Sequence, residues 1–224
     1  MKKRTKLANR QLPDYYRGEE IMNMTTHIVG GGIGIIALVL CIINAALKGN
    51  AAGIITGCIF GVSMINLYTI SSIYHGLTLS TAKKVLQVLD HCSIYLLIAG
   101  TYTPILVCGF LQTYPIIGWG LLILEWTLAT VAITLTAIDL KIYNIFSMIC
   151  YVFMGWSIIF FLPMAISALG LHAFYLILTG GILYTIGAIL YGIGSRKHWF
   201  HSVFHIFVVL GSLFHALAII VYVI

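Results

Sequence analysis

The sequence carries very little charge, with only 12 basic and 6 acidic residues in 224. Half of these charges stand in the first twenty positions, which leaves nine for the remaining 204 residues. Charged residues make up 8% of the chain and hydrophobic residues 61%, whereas a soluble domain has about 25% charged and roughly 45–50% apolar residues. This shortage excludes an ordinary soluble domain and favours a protein embedded in a membrane.

Paired cysteines and nucleic-acid-binding patterns are also missing. The five cysteines are spread singly through apolar segments, which excludes the close pairs of zinc knuckles and redox sites and predicts small buried side chains. The net charge of +6 comes from basic residues that flank apolar segments and are not interleaved with aromatic residues. We therefore expect no nucleic-acid partner.

Long apolar segments fill the chain after its basic start. A hydrocarbon core of about 30 Å needs about 20 helical residues, and seven segments of that length fit between the turns. We predict a short basic N-terminal segment over residues 1–20 and a single all-α integral membrane domain over residues 21–224. The predicted spans are about 22–47, 51–75, 85–108, 116–138, 142–163, 171–194 and 201–223.

The basic residues predict how these spans are oriented. Short cytoplasmic loops carry an excess of Lys and Arg. If the N-terminus is cytoplasmic, eleven of the twelve basic residues fall on that side, and only Lys48 falls on the other. Adding or removing one helix would reverse every later loop. The pattern therefore predicts seven spans in the cell membrane, with a cytoplasmic N-terminus and an external C-terminus.

Ionisable residues gather near the predicted cytoplasmic ends of four spans. Such residues are costly within a bilayer, so each is a functional candidate. His201 and His205 are four residues apart, which places both imidazoles on one helical face, as in helices that supply two ligands to one metal ion. Ser71 has the same spacing from His75 and is placed to orient a ligand or a water. The other members of the group are His27, Asp90 and His91.

The donor types favour zinc over harder cations. Three imidazoles with one position left for water form a common catalytic zinc arrangement, whereas calcium and magnesium prefer more oxygen ligands. Asp90 adds a carboxylate that needs a cation, a metal or hydrogen-bond donors if it is to stay ionised in apolar surroundings. Taken singly, a membrane histidine is most often a hydrogen-bonding partner between helices, and an isolated His-x-x-x-His pair arises easily by chance.

Four other ionisable residues receive structural interpretations. Glu125 lies in the middle of the fourth predicted span, where we expect a packing or hydrogen-bonding role. His215 follows His201 by fourteen residues, about 21 Å along a helix, which is too far to share its metal. His172 and His198 stand at predicted boundaries, where we expect water to solvate them.

Four stretches together resemble the hemolysin III family, within the wider group of progestin and adipoQ receptors and the superfamily that includes alkaline ceramidases. They are EIMNMTTH (Glu20–His27), SSIYH (Ser71–His75), LDHCSIYLLIAGTYTP (Leu89–Pro104) and HSVFH (His201–His205). The resemblance covers essentially the whole chain, and the short polar N-terminus suits a bacterial member.

The resemblance implies a seven-helix fold with a zinc ion near the cytoplasmic face. It assigns the ligands to His75, His201 and His205. Asp90 matches the acid that holds a zinc-bound water, and Ser71 matches the supporting serine. Further supporting candidates are Glu20, Asn23, His27 and His91. Helix rotation decides whether His27 or His91 approaches the metal, and the family pattern makes neither a ligand.

Three functions fit these residues. The first is a zinc-dependent hydrolase of lipid amides or esters near the inner leaflet, with a membrane lipid as substrate and Asp90 as general base. The second is a non-enzymatic sensor, receptor or membrane-homeostasis protein in which zinc is structural. The third is the pore-forming hemolysin of the family name, against which the lack of a continuous polar stripe along any span argues. No oligomeric state is predicted.

Overall fold

The computed structural model describes residues 4–5, 7–194 and 197–224, and the regular structure in these ranges is helical. Seven helices are long and apolar enough to cross a membrane, which confirms the predicted all-α class and span number. They are α1 (Arg17–Leu47), α2 (Ala51–Gly76), α3 (Thr81–Thr113), α4 (Pro115–Ile138), α5 (Asn144–Leu169), α6 (Leu171–Gly194) and α7 (Phe200–Val223). A short 3-10 turn over Leu7–Asn9 precedes them.

Two helices run several residues past their predicted ends because they change their helical form instead of ending. α3 is α-helical over Thr81–Pro104, continues as a π-helix over Ile105–Phe110 and stays helical to Thr113, whereas the sequence predicted an end near residue 108. The wider π register follows directly on Pro104, whose ring displaces a carbonyl of the preceding turn. α5 contains a 3-10 segment over Ser157–Phe161. Pro163 lies in the first turn of the helix that follows, where proline is tolerated.

One end of the bundle gathers the N-terminal segment and three interhelical loops, and we call it the N-terminal end. The Thr5 N–H donates to Asp139 Oδ2 over 2.5 Å, which joins this segment to the α4–α5 loop. Lys83 Nζ, at the start of α3, donates to Glu20 Oε1 over 2.6 Å. The predicted basic residues Lys2, Lys3, Lys6 and Arg196 lie outside the described residues.

The opposite end joins the end of α1 to the end of the chain. Asn44 Nδ2 donates to the Ile220 carbonyl over 2.9 Å, and Lys48 Nζ donates to the Ile224 carbonyl over the same distance. Because the helices alternate in direction, the starts of α1, α3, α5 and α7 share the N-terminal end with the last turns of α2, α4 and α6. Groups near those helix ends therefore lie at one depth in the bundle.

The centre of the bundle is built around α2 and α3. The most apolar part of α3 is 67% buried and that of α2 is 50% buried, against 28% for the other helices. Small residues allow the close approach of α1 and α2, since a Cβ atom added at Gly61 would lie 2.6 Å from Leu38 Cβ. All five cysteines are free and at least half-buried. α2 therefore lies at the centre of the bundle, packed between α1 and α3.

Candidate metal centre

Three buried histidines from two helices converge at the N-terminal end of the bundle. His75 lies in the last turn of α2, while His201 and His205 lie in the first turns of α7. One ring nitrogen of each lies within 4.8 Å of the corresponding nitrogens of the others. The exposed fractions of the three residues are 2%, 8% and 2%. The structure thus brings together the three histidines that the sequence proposed as ligands.

The ring of His75 is held in place by a carboxylate on α1. Glu20 Oε2 lies 2.5 Å from His75 Nδ1, and the side-chain amide of Asn23 packs beside the same nitrogen. A carboxylate accepts hydrogen bonds, so we place the proton of this imidazole on Nδ1. His75 Nε2 is then a free acceptor, and it is buried with no hydrogen-bond partner in the described part of the chain.

Glu20 is itself fixed by a lysine. Lys83 Nζ donates to Glu20 Oε1 over 2.6 Å and to the Leu77 carbonyl over 2.8 Å. The Lys83 ammonium is buried, with 3% of the residue exposed. The series Lys83, Glu20, His75 therefore resembles the carboxylate–imidazole arrangements that orient metal-binding histidines.

One pair of ring nitrogens in this group has the spacing expected of zinc ligands. His201 Nε2 and His205 Nε2 are 3.0 Å apart, close to the roughly 3.3 Å that separates two nitrogens bound at about 2.0–2.1 Å to a tetrahedral zinc. Buried polar atoms are rarely left unpaired. A cation held by these imidazoles would satisfy the free His75 nitrogen and the close Nε2 pair together.

Asp90 and Ser71 lie beside the histidines, on the wall of a cavity of about 170 Å³ that His201 and His205 also line. Asp90 does not belong to the three-nitrogen group. Ser71 Oγ is buried and interacts with the Asp90 carboxylate. The structure therefore places the predicted acid and serine next to the cluster, on its cavity side.

The cavity extends from this polar end between apolar side chains of α3, α5, α6 and α7. Residues along it include Ile94, Ile98, Tyr102, Trp156, Tyr184 and Val208. Its lining residues Met148, Val152 and Trp156 also line a shallow apolar groove on the outer face of α5. The polar cluster thus stands at one end of an elongated apolar space that adjoins the outer surface of the bundle.

The two remaining supporting histidines make different contacts. The His27 ring stacks on His205 with centroids 3.8 Å apart, and neither His27 nitrogen has a hydrogen-bond partner in the described chain. His91 uses both nitrogens: Nδ1 lies 2.8 Å from the Gln87 carbonyl and Nε2 lies 3.3 Å from the Tyr191 hydroxyl. His27 therefore packs against a candidate ligand, and His91 belongs to the polar wall of the cavity.

Sequence reasoning missed one residue that contacts this centre and one that binds the loop next to it. The Tyr15 ring stacks on His201 with centroids 4.8 Å apart and an interplanar angle of 20°. Burial raises the pKa of the Tyr15 hydroxyl far above its ordinary value, so this residue stays neutral. Glu19 binds the residues just before α7. In the sequence, Tyr15 is only an aromatic residue before a span, and Glu19 is only an acid beside Glu20. Neither feature identifies a contact partner.

The residues given structural interpretations mostly behave as expected. Ser157 Oγ donates to Glu125 Oε1 over 2.7 Å in the middle of the bundle. His215 Nε2 bonds to the Ile177 carbonyl at 3.0 Å, and His172 is exposed. His198 lies in the loop before α7 with 45% of its side chain exposed, as expected, and its Nδ1 also lies 3.0 Å from Glu19 Oε2.

Seven apolar helices around a buried group of histidines define a multi-pass membrane protein with a candidate metal centre. The family model described as "Haemolysin-III related" matches residues 15–216. The chain is 37% identical over 194 residues to Hemolysin-3 of Bacillus cereus, covering 87% of each chain. It is 38% identical over 194 residues to the Hemolysin-3 homolog of Bacillus subtilis (strain 168), covering 87% of this chain and 89% of the relative. The chain belongs to the hemolysin III family, as its motifs predicted.

Proposed function

We propose that this protein is a zinc-dependent hydrolase of membrane-lipid amides or esters. The observation that carries the proposal is a single cavity with a polar end, lined by two candidate metal ligands together with Asp90 and Ser71, and with apolar walls beyond. A lipid has the matching shape, since its scissile carbonyl joins a polar headgroup to an acyl chain.

The distribution of basic residues supports one orientation of the protein in the membrane. Seven of the Lys and Arg residues in the described chain belong to the N-terminal end, and Lys48 belongs to the opposite end. This distribution supports a cytoplasmic N-terminus and an external C-terminus. The centre would then lie near the inner leaflet of the cell membrane.

His75, His201 and His205 would hold the ion through their ring nitrogens. When bound, zinc lowers the pKa of a coordinated water toward about 7 and polarises a carbonyl as a Lewis acid. Asp90 would accept the proton of the attacking water on a carboxylate oxygen and return it to the departing amine or alkoxide. The Ser71 hydroxyl would donate to the Asp90 carboxylate and fix its orientation.

The apolar walls would hold the acyl chain and exclude water from the reacting carbonyl. Near the polar end, aliphatic and aromatic side chains such as Ile94, Ile98 and Phe204 would restrict the movement of the acyl chain. The groove on α5 gives a lipid a path into the cavity from the bilayer. Glu20 contributes by keeping His75 Nε2 free for the ion.

The test is fatty-acid release from a lipid panel by purified, zinc-loaded protein, measured by mass spectrometry. We expect wild-type protein to cleave at least one amide or ester lipid, and Asp90→Asn to cleave it at least about 100-fold more slowly. Asp139→Asn is the matched control, since Asp139 also lies at the N-terminal end but does not line the cavity. Zinc-loaded wild type that releases neither fatty acid nor sphingoid base would reject this function.

A structural ion in a non-enzymatic sensor or receptor is the second candidate function. Burial of all three histidines, at most 8% exposed, favours it. In that case zinc removal and His205→Ala lower thermal stability equally, and no lipid is cleaved. Chelator-insensitive release of a trapped dye from liposomes would instead favour the hemolysin activity named in the relatives.

A further inference from the structure

We propose that Glu19 is a positioning residue that fixes the two histidines of α7 relative to His75. The inference rests on the proposed metal centre and assigns a role to a residue that contributes no ligand. Its basis is a set of hydrogen bonds that cross from the first turn of α1 to the residues directly before α7.

The Glu19 carboxylate is buried, with 1% of the residue exposed. Its Oε1 accepts the backbone N–H of Trp199. Its Oε2 lies 2.8 Å from the backbone nitrogen of Tyr16 and 3.0 Å from His198 Nδ1. One carboxylate therefore binds its own helix start and two consecutive residues of the α6–α7 loop.

The bond to Trp199 acts at a strained turn. Trp199 has φ 68° and ψ −18°, a left-handed conformation that a residue with a Cβ atom rarely adopts. It is also the residue from which α7 starts, because its carbonyl accepts the Val203 N–H at 3.0 Å. The hydrogen bond that the Trp199 N–H donates to Glu19 stabilises this conformation. A relaxed Trp199 would change the position at which α7 begins, and His201 follows only two residues later.

Ring contacts on α1 hold the same loop. A Cβ atom added at Gly18 would lie 3.2 Å from the Trp199 ring, so the indole packs directly on the start of α1. The Tyr16 ring stacks on His198 with centroids 3.9 Å apart. The loop before α7 is thus attached to α1 through both the carboxylate of Glu19 and two aromatic side chains.

Glu19 and Glu20 act on different ligand-bearing helices. Consecutive side chains on a helix point about 100° apart, and here Glu20 reaches His75 on α2 while Glu19 reaches the start of α7. The first turn of α1 is therefore the common reference for both parts of the histidine cluster. Residues that orient metal ligands commonly change metal affinity by about 10-fold to 100-fold when replaced.

The experiment compares zinc affinity, by chelator competition, and the visible spectrum of the cobalt-substituted protein. Glu19→Gln presents an amide N–H₂ where the carboxylate faced only donors. We expect it to weaken zinc binding about 10-fold or more and to shift the cobalt ligand-field bands. Asp139→Asn is the matched control, since Asp139 also accepts backbone N–H groups, from Lys141 and Ile142 at 3.0 Å, in a loop without ligands. It should retain the wild-type affinity and spectrum.

A second substitution separates positioning from general stability. Glycine adopts positive φ without strain but lacks the indole that packs on Gly18, so the Glu19→Gln change is measured in the Trp199→Gly background against Trp199→Gly alone. Because a glycine at position 199 needs no carboxylate to hold its φ, Glu19→Gln should cost less zinc affinity there than in the wild-type background. Glu19→Asp, which keeps the charge but shortens the reach, should act in the same direction as Glu19→Gln and serves if the amide variant does not fold. Wild-type affinity and spectrum in the Glu19 variants would overturn this inference alone. Wild-type protein that binds neither metal would overturn the metal centre and the inference together.

Discussion

Glu20 Oε2 and His75 Nδ1 lie 2.5 Å apart, so a carboxylate on α1 fixes the ring of a histidine on α2. The contact determines which nitrogen of His75 faces the other two histidines. It links a residue with no direct place in the cluster to the affinity of the cluster for a cation.

Replacing Glu20 should weaken metal binding without removing a ligand. We expect Glu20→Gln to lower zinc affinity about 10-fold to 100-fold. The neutral amide accepts the Nδ1–H bond less strongly, and Nε2 therefore becomes a less basic metal ligand. Chelator competition measures the change. Glu125→Gln is the control, since Glu125 is a buried acid that bonds to Ser157 far from the cluster. Equal affinity in Glu20→Gln and wild type would mean that other contacts orient His75.

The stacked pair His27 and His205 predicts opposite outcomes for the same substitution. His27→Phe keeps the ring stack and removes two buried nitrogens that have no partner in the described residues. We therefore expect about one zinc per chain and unchanged or higher thermal stability. His205→Phe should abolish zinc binding. Metal analysis of the purified variants by mass spectrometry measures both, and loss of zinc from His27→Phe would make His27 a ligand.

Tyr15 should slow the exchange of metal with water. Its ring covers His201 at a centroid distance of 4.8 Å. We expect Tyr15→Ala to speed the removal of zinc by an added chelator several-fold, because the imidazole loses its cover. Tyr15→Phe keeps the ring and should lose zinc at the wild-type rate. Identical rates in all three proteins would show that the ring does not limit access.

Asp139 should make the attachment of the N-terminal segment sensitive to acid. Burial opposes ionisation, but backbone N–H groups of Thr5, Ile142 and Lys141 donate to the carboxylate and lower the pKa of Asp139 below its ordinary value. The folded pKa thus lies below the unfolded value of about 3.9. The stabilisation is present above that value and is lost as pH falls through the lower, folded pKa.

The measurement is thermal unfolding of metal-free protein in detergent across the acidic range, since histidine protonation would otherwise release metal. We expect Asp139→Asn to be about 1–2 kcal/mol less stable at pH 7 and to lack this part of the acid-induced loss. An unchanged acid profile in Asp139→Asn would assign the loss to other groups.

The spans could be predicted because hydropathy and charge are properties of short stretches of chain. Seven apolar segments specify the number of spans without any knowledge of packing, and the positions of the lysines and arginines predict their orientation. The end of α3 could not be predicted in this way. Gly109 reads as a turn, but the π-helix after Pro104 keeps the chain helical to Thr113.

Part of the histidine cluster could also be predicted from local features of the sequence. The i to i+4 spacing of His201 and His205 is local, and topology placed His75 at the same end. The contacts of His27 and His91 depend on how each helix is rotated about its axis, which residue spacing within one helix does not specify. Glu19 and Tyr15 were missed because their partners lie in or just before α7, far away in the sequence. Hydrophobic periodicity does not specify the path of the irregular segments that bring them together.

The groove on α5 that adjoins the cavity determines which concentration scale applies to a lipid that binds there. A lipid that enters past Met148, Val152 and Trp156 comes from a two-dimensional solution, the bilayer, and not from water. Occupancy then follows the mole fraction of that lipid among its neighbours, whatever its total amount in the tube. Adding inert detergent at a fixed ligand concentration would dilute the ligand and empty the cavity, so apparent affinities are comparable only at equal surface composition.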